Sequence, residues 1–137
     1  MSKKFILGLN DINSIMDTLP KSGIILLQGT LASGKTTLVK SIVKFHGIDE
    51  EVTSPTFSIM QSYKSENITI YHYDIYQNGV NGLLNNGLFE NLFEDGLHLV
   101  EWGDENLENL LKNYEMQYIK IVINLKDDLR EYEVFGA

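Results

Sequence analysis

The sequence predicts an α/β fold, a mixed β-sheet flanked by helices in a single domain, and three observations predict it. The run Gly-Ile-Ile-Leu-Leu at 23–27 is continuously apolar, as a parallel strand covered on both faces requires. A glycine-rich turn follows, and then Leu38, Val39, Ile42 and Val43 recur at helical spacing. Later segments alternate instead, with Ile119, Ile121, Ile123 and Leu125 on one face of a strand. An αβ unit joined to hairpins gives a sheet with both parallel and antiparallel neighbours and helices packed on it.

Each element has its own signal. The apolar stretch 5–9 is too short for the h-region of a signal peptide before Asn10 and Asp11 interrupt it. Asn10 or Asp11 caps a short helix with Ile12, Ile15, Met16 and Leu19 on one face and Pro20 past its end. The helix after the glycine-rich turn stops at Gly47. Pro55 biases Ser54 away from the helical region, so 53–56 is a turn. Segments 57–63 and 68–76 read as two strands joined by a polar connection at 64–67. Between Gly79 and Gly96 lie asparagine-rich turns and one short amphipathic piece, Leu88, Phe89, Leu92 and Phe93. A strand at 97–102, a helix at 105–114, and strands at 116–125 and 129–135 complete the chain.

Composition limits what this domain can do. A chain of 137 residues suffices for one core. It has no cysteine, which excludes disulfides and thiolate zinc sites and suits a cytoplasmic protein. No apolar run approaches a membrane span, so no membrane partner is expected. The net charge of −8 opposes unaided binding to a polyanion such as RNA or DNA.

The turn itself carries the chemistry. GTLASGKTT, at 29–37, fits G-x-x-x-x-G-K-[ST] and sits between a strand and a helix, which predicts a P-loop NTPase-like sheet. Backbone N–H groups from Ala32 to Thr36 can turn inward around a polyphosphate, and Gly34 lets the chain approach it closely. The helix contributes its positive dipole end. Lys35 would reach the β- and γ-phosphates of ATP, and the Thr36 hydroxyl would ligate Mg²⁺. The expected nucleotide-binding set is Gly29, Leu31, Ala32, Ser33, Gly34, Lys35, Thr36 and Thr37. Trp102 and Arg130 join it, the first ambivalently, since Trp102 reads as core, as a shaper of the site or as a partner contact. Arg130 is the chain's sole arginine and so its only internal candidate for an arginine finger.

A P-loop needs a further acid to hold Mg²⁺ or its waters and a polar group to orient the nucleophile. Asp74 and Glu101 each close an apolar strand and are the candidates, which makes Lys35, Asp74 and Glu101 the expected catalytic set. His46, His72 and His98 lie at unrelated spacings that make no zinc motif, and His98 reads as a satisfied core or edge residue. Tyr63, Tyr71, Tyr73 and Tyr76 fit strand preference better than base stacking, which would want basic neighbours.

The order GTLASGKTT, TSPTF, YHYDIY and LVEWGD, running from Gly29 to Asp104, resembles the TsaE (YjeE) family over nearly the whole chain. The resemblance implies a small bacterial P-loop ATPase required for threonylcarbamoyladenosine at position 37 of tRNAs that read ANN codons. It implies weak turnover alone and action on the TsaB–TsaD complex, with tRNA met only through that complex. Thr36 and Glu101 then match the family's Mg²⁺ ligands, Asp74 its D-x-Y aspartate, Trp102 its EW tryptophan and Arg130 its late arginine. Ser54, Pro55 and Thr56 match a switch-like loop facing the γ-phosphate. The chain departs from the family pattern at Thr30, Ala32 and Gln77. Two other readings use the same motif: a small-molecule kinase with Asp74 as base, and a binding module in which ATP only sets conformation.

Overall fold

Ile24, Ile25, Leu26 and Leu27 are all buried, which a strand achieves only when both faces of its sheet are covered. The structure, a computed structural model, describes residues 2–30, 33–53 and 59–136. Its strands are β1 (Ser2–Leu7), β2 (Gly23–Gly29), β3 (Met60–Lys64), β4 (Thr69–Asp74), β5 (Leu97–Glu101), β6 (Ile119–Lys126) and β7 (Leu129–Phe135). They form one seven-stranded sheet in the order β1-β7-β6-β2-β5-β4-β3. β2 runs parallel to β5 and β6, and β4 runs parallel to β5; the pairs β1–β7, β6–β7 and β3–β4 are antiparallel. The mixed sheet is the one the sequence predicts.

Alternation along β2 divides the core in two. Ile25 and Leu27 face α1 (Lys35–Phe45) and a 3₁₀ helix, Leu9–Thr18, packing with Leu38, Val39, Ile42, Ile15 and Met16. Ile24 and Leu26 face the other way, toward α2 (Val80–Asn85), a 3₁₀ turn at Glu90–Phe93 and α3 (Glu105–Asn113), packing with Leu83, Leu92, Leu107 and Leu111. Each such buried aliphatic side chain contributes about 1.5–3 kcal/mol. β2, β4 and β5 run the same way, so Gly29, Asp74 and Glu101 arrive together at one edge, where open α/β sheets place their ligands.

Several elements differ from the sequence expectation, each for a local reason. Residues 2–7, assigned no element from sequence, form edge strand β1 on β7. The first helix is 3₁₀ and begins at Leu9 behind Gly8, without a side-chain cap from Asn10 or Asp11; Ile12 and Ile15 suit its three-residue turn. β4 stops at Asp74, because the Asp74 Oδ1 accepts the Tyr76 N–H and turns the chain. β6 begins at Ile119 because residues 114–116 close α3: Glu115 is left-handed (φ 57°) and the Met116 N–H reaches back to the Leu111 carbonyl at 2.9 Å. α2 was hidden among glycine and asparagine. Its Gly82 lies against Ile59, where an added Cβ would come within 3.1 Å of the Ile59 Cδ1. The predicted strand start at 57–58 lies outside the described residues.

Candidate nucleotide and metal site

The loop leaves β2 at Gly29 and enters α1 at Lys35. Gly29 has no room for a side chain, since a Cβ there would lie 2.7 Å from the Ile123 carbonyl. Gly34 precedes the helix in a left-handed conformation (φ 109°) that favours glycine, and it supplies no side-chain cap. The uncapped first turn of α1 therefore presents its positive end to whatever lies over the loop.

Two cations and two acids converge on that end. The Lys35 Nζ donates to the Gly29 carbonyl at 2.9 Å, the Thr30 carbonyl at 2.8 Å and the Ser33 Oγ at 3.4 Å. It also lies 3.7 Å above the centre of the Trp102 ring, a cation–π arrangement. Burial pushes the Lys35 ammonium below its usual range, while the charges of Glu101 and Asp74 pull it back up. Burial likewise raises the Asp74 carboxyl; the Tyr76 N–H opposes this and Glu101 adds to it. Arg130, arriving on β7, donates from Nε to the Ser33 carbonyl at 2.9 Å and so braces the loop from the side opposite Trp102.

Glu101 is only 2% exposed, so its charge depends on partners. The Thr36 Oγ1 donates to its Oε1 at 2.9 Å and its Oε2 at 3.0 Å, and the His72 Nε2 donates to Oε2 from the other side. Donating its proton to Glu101 leaves the Thr36 oxygen able to give a lone pair to a cation. A hydroxyl and a carboxylate are hard oxygen donors, and Mg²⁺ takes one or two of these while keeping waters and phosphate oxygens. The residues present therefore fit Mg²⁺, which Thr36 and Glu101 would hold. Among the described residues no group of three or more His, Asp or Glu could hold a metal ion.

Ser33, Gly34, Lys35, Thr36, Thr37, Asp74, Glu101, Trp102 and Arg130 all line one cavity of about 370 Å³. Gly29, expected with this set, does not line it; it lines a larger hollow of about 510 Å³ on the α3 side that shares only Trp102 and holds none of the threonine–carboxylate set. Leu31, Ala32, Ser54, Pro55 and Thr56 lie outside the described residues. Gln77 is exposed and away from the cavity. Trp102 is held at positive φ (66°) with its N–H on the Leu27 carbonyl, a costly backbone for a bulky residue that turns its ring toward Lys35. Two residues of the site were missed from sequence. Tyr76 lines the cavity with its ring 4.6 Å from that of Trp102. His72 touches Glu101; it shares a face of β4 with Asp74, but the contact follows from β4 pairing with β5, which no local pattern announces.

Comparison with known proteins identifies the family and the fold. The sequence profile of the family described as threonylcarbamoyl adenosine biosynthesis protein TsaE matches residues 9–132. The chain belongs to that family. A tRNA threonylcarbamoyladenosine biosynthesis protein TsaE from Rickettsia conorii is 33% identical over 130 residues, covering 85% of this chain and 73% of the relative. The one from Treponema pallidum is 37% identical over 87 residues, covering 63% of this chain and 64% of that one. Among solved structures, the crystal structure of YdiB from Bacillus subtilis superposes with a TM-score of 0.71 at 27% identity, over 98% of this chain and 84% of that chain. The TsaE family is one of threonylcarbamoyladenosine biosynthesis on tRNA. Among the described residues of this member, no helix is long and apolar enough to cross a membrane.

Proposed function

We propose that this TsaE chain is the ATP-binding and ATP-hydrolysing component of the cytoplasmic machinery that makes threonylcarbamoyladenosine at position 37 of tRNAs reading ANN codons, acting on the TsaB–TsaD complex. The observation that carries the reading is the Thr36–Glu101 hydrogen bond at the mouth of α1, with Lys35, Asp74 and Arg130 on the same cavity. Lys35 binds the β- and γ-phosphates. In the free protein, the Gly29 and Thr30 carbonyls stand in for those oxygens, and charged acceptors displace them because charge-assisted hydrogen bonds are about twice as strong as neutral ones. Thr36 and Glu101 hold Mg²⁺, which when bound neutralises charge on the phosphates. Asp74, with its raised carboxyl, orients the attacking water or takes its proton. A hollow of about 260 Å³ continues from Gly34, Thr37 and Arg130 toward Leu7, Leu9 and Tyr132, and offers room for the nucleoside.

The kinase alternative wants a cationic lid, and the sole arginine is instead committed to the Ser33 carbonyl. A partner completing the transition-state electrostatics fits better, so turnover is slow alone and rises with TsaB and TsaD. tRNA is met only through that complex, given a net charge of −8. The test is ATP hydrolysis by the protein alone, with tRNA, and with the TsaB–TsaD complex. Stimulation by the proteins is expected. Strong stimulation by tRNA alone, with none from the proteins, overturns the reading.

A further inference from the structure

His72 has no part in the site as described beyond touching Glu101, yet its placement is expensive. It is fully buried on β4, and its Nδ1 has no hydrogen-bond partner among the described residues. An unsatisfied buried nitrogen lowers stability, so an apolar residue would serve packing better at this position. Among the described residues, the ring's one polar contact is its Nε2 on the Glu101 Oε2. The sheet explains why it can be made. Asp74 is the direct register partner of Glu101, and His72 pairs with Leu99, two residues earlier on each strand. On this parallel pair His72 and Asp74 face the same side, so His72 reaches Glu101 diagonally from beneath while Thr36 meets it from the first turn of α1.

We infer that His72 is a positioning residue for the carboxylate that holds Mg²⁺: its Nε2–H fixes one Glu101 oxygen so that the carboxylate meets Thr36 and the cation in a single orientation. The inference rests on the nucleotide and metal reading of the site. A carboxylate held by Thr36 alone would keep a free rotation about its last bond, and a buried side chain that can rotate presents its oxygens to the metal only part of the time. Outer partners of this kind typically change metal affinity 10- to 100-fold when removed.

The test measures ADP affinity by titration calorimetry with and without Mg²⁺, in the wild-type chain and in His72→Gln, His72→Asn and His72→Phe. Glutamine can place an N–H near the position of Nε2, whereas asparagine and phenylalanine cannot. The expected result is that metal-free ADP affinity stays within about twofold throughout, while the gain conferred by Mg²⁺ falls roughly 10- to 100-fold in His72→Asn and His72→Phe and is largely kept in His72→Gln. A role in packing alone would move both affinities together, or neither, and would favour phenylalanine over glutamine; that pattern overturns the inference. Should His72→Phe fail to fold, the glutamine–asparagine pair decides by the same criterion. A second arm uses Glu101→Gln, in which replacing His72 with asparagine should no longer change the Mg²⁺ gain; an undiminished effect there also overturns it. If the wild-type chain shows no Mg²⁺ gain at all, the nucleotide and metal reading has failed, an outcome distinct from a gain that survives in every His72 variant.

Discussion

Two buried histidines sit on neighbouring central strands and face opposite sides of the sheet. On the α1 face, His72 contacts Glu101 and its second nitrogen has no partner among the described residues. On the α3 face, His98 is satisfied at both nitrogens: Nε2 meets the Glu94 carbonyl at 2.8 Å and Nδ1 meets the Tyr73 hydroxyl at 2.7 Å, which also receives the Asn91 amide at 2.7 Å. Both are fully buried within strands. The difference lies in whether the polar network closes on itself. The His98 network is complete within the fold and ties the 3₁₀ turn to the sheet. The His72 chain runs outward through Glu101 and Thr36 to the cavity and ends there. A closed network reads as structure, and an open one as a site.

This contrast predicts a double dissociation between the faces. Lys35→Ala gives the largest effect. At a nucleotide concentration of about 100 Kd the wild type should gain about 2.7 kcal/mol from ligand, and the variant should gain almost none. Its ligand-free stability should change little, because the ammonium it removes is already penalised by burial. Tyr73→Phe should do the reverse, losing about 1–3 kcal/mol by stranding His98 and Asn91 while keeping the full nucleotide gain. Thermal melts of both variants with and without Mg²⁺–ATP check the pair. If Tyr73→Phe lost the nucleotide gain, or Lys35→Ala kept it, the division between faces would be broken.

The same contrast marks what was legible from sequence. The sheet class, the loop and the acids Asp74 and Glu101 are written in local patterns: a continuous apolar run, a spaced glycine–lysine–threonine set, and carboxylates closing apolar strands. His72 was not, because its meaning depends on which strand lies beside β4, and register is not a local property. Trp102 was ambivalent from sequence for a related reason, since its ring direction follows from a left-handed backbone that nothing near it announces. α2 and β1 were lost where propensity ran against tertiary packing. Gly82 is poor for a helix but fits under Ile59, and 2–7 is a strand because β7 offers an edge to pair with.

A smaller effect concerns pH and the closed network. Burial lowers the His98 imidazole below its ordinary 6.5, against the raising influence of Glu94. As a neutral ring, it donates from Nε2 to the Glu94 carbonyl and accepts from Tyr73 at Nδ1; a proton on Nδ1 would face a hydroxyl that already receives Asn91. A depressed histidine contributes stability that is fully present above 6.5 and is lost as pH falls through its folded value. Urea midpoints taken from about pH 7 down to about pH 5 should therefore fall more steeply for the wild type than for His98→Asn. Parallel lines would show that the network tolerates the proton and that His98 does not discriminate as argued.

The smallest effect is optical and sits on the border between the two faces. Trp102 is the only tryptophan in the chain, it walls the cavity, and the Lys35 ammonium lies over its ring. An ammonium at contact distance can pass a proton to an excited indole, so the free protein should fluoresce weakly. Lys35→Ala should brighten the ligand-free chain by removing that donor. ATP should brighten the wild type by drawing Lys35 toward phosphate, and should leave Lys35→Ala unchanged. Tyr73→Phe, on the α3 face, should respond to ATP as the wild type does. Emission titrated with ATP in the three proteins checks this. A wild-type signal that stays flat at ATP concentrations that shift its melting temperature would mean that Lys35 binds phosphate without leaving the indole, and the parked position of the lysine would then be its working one.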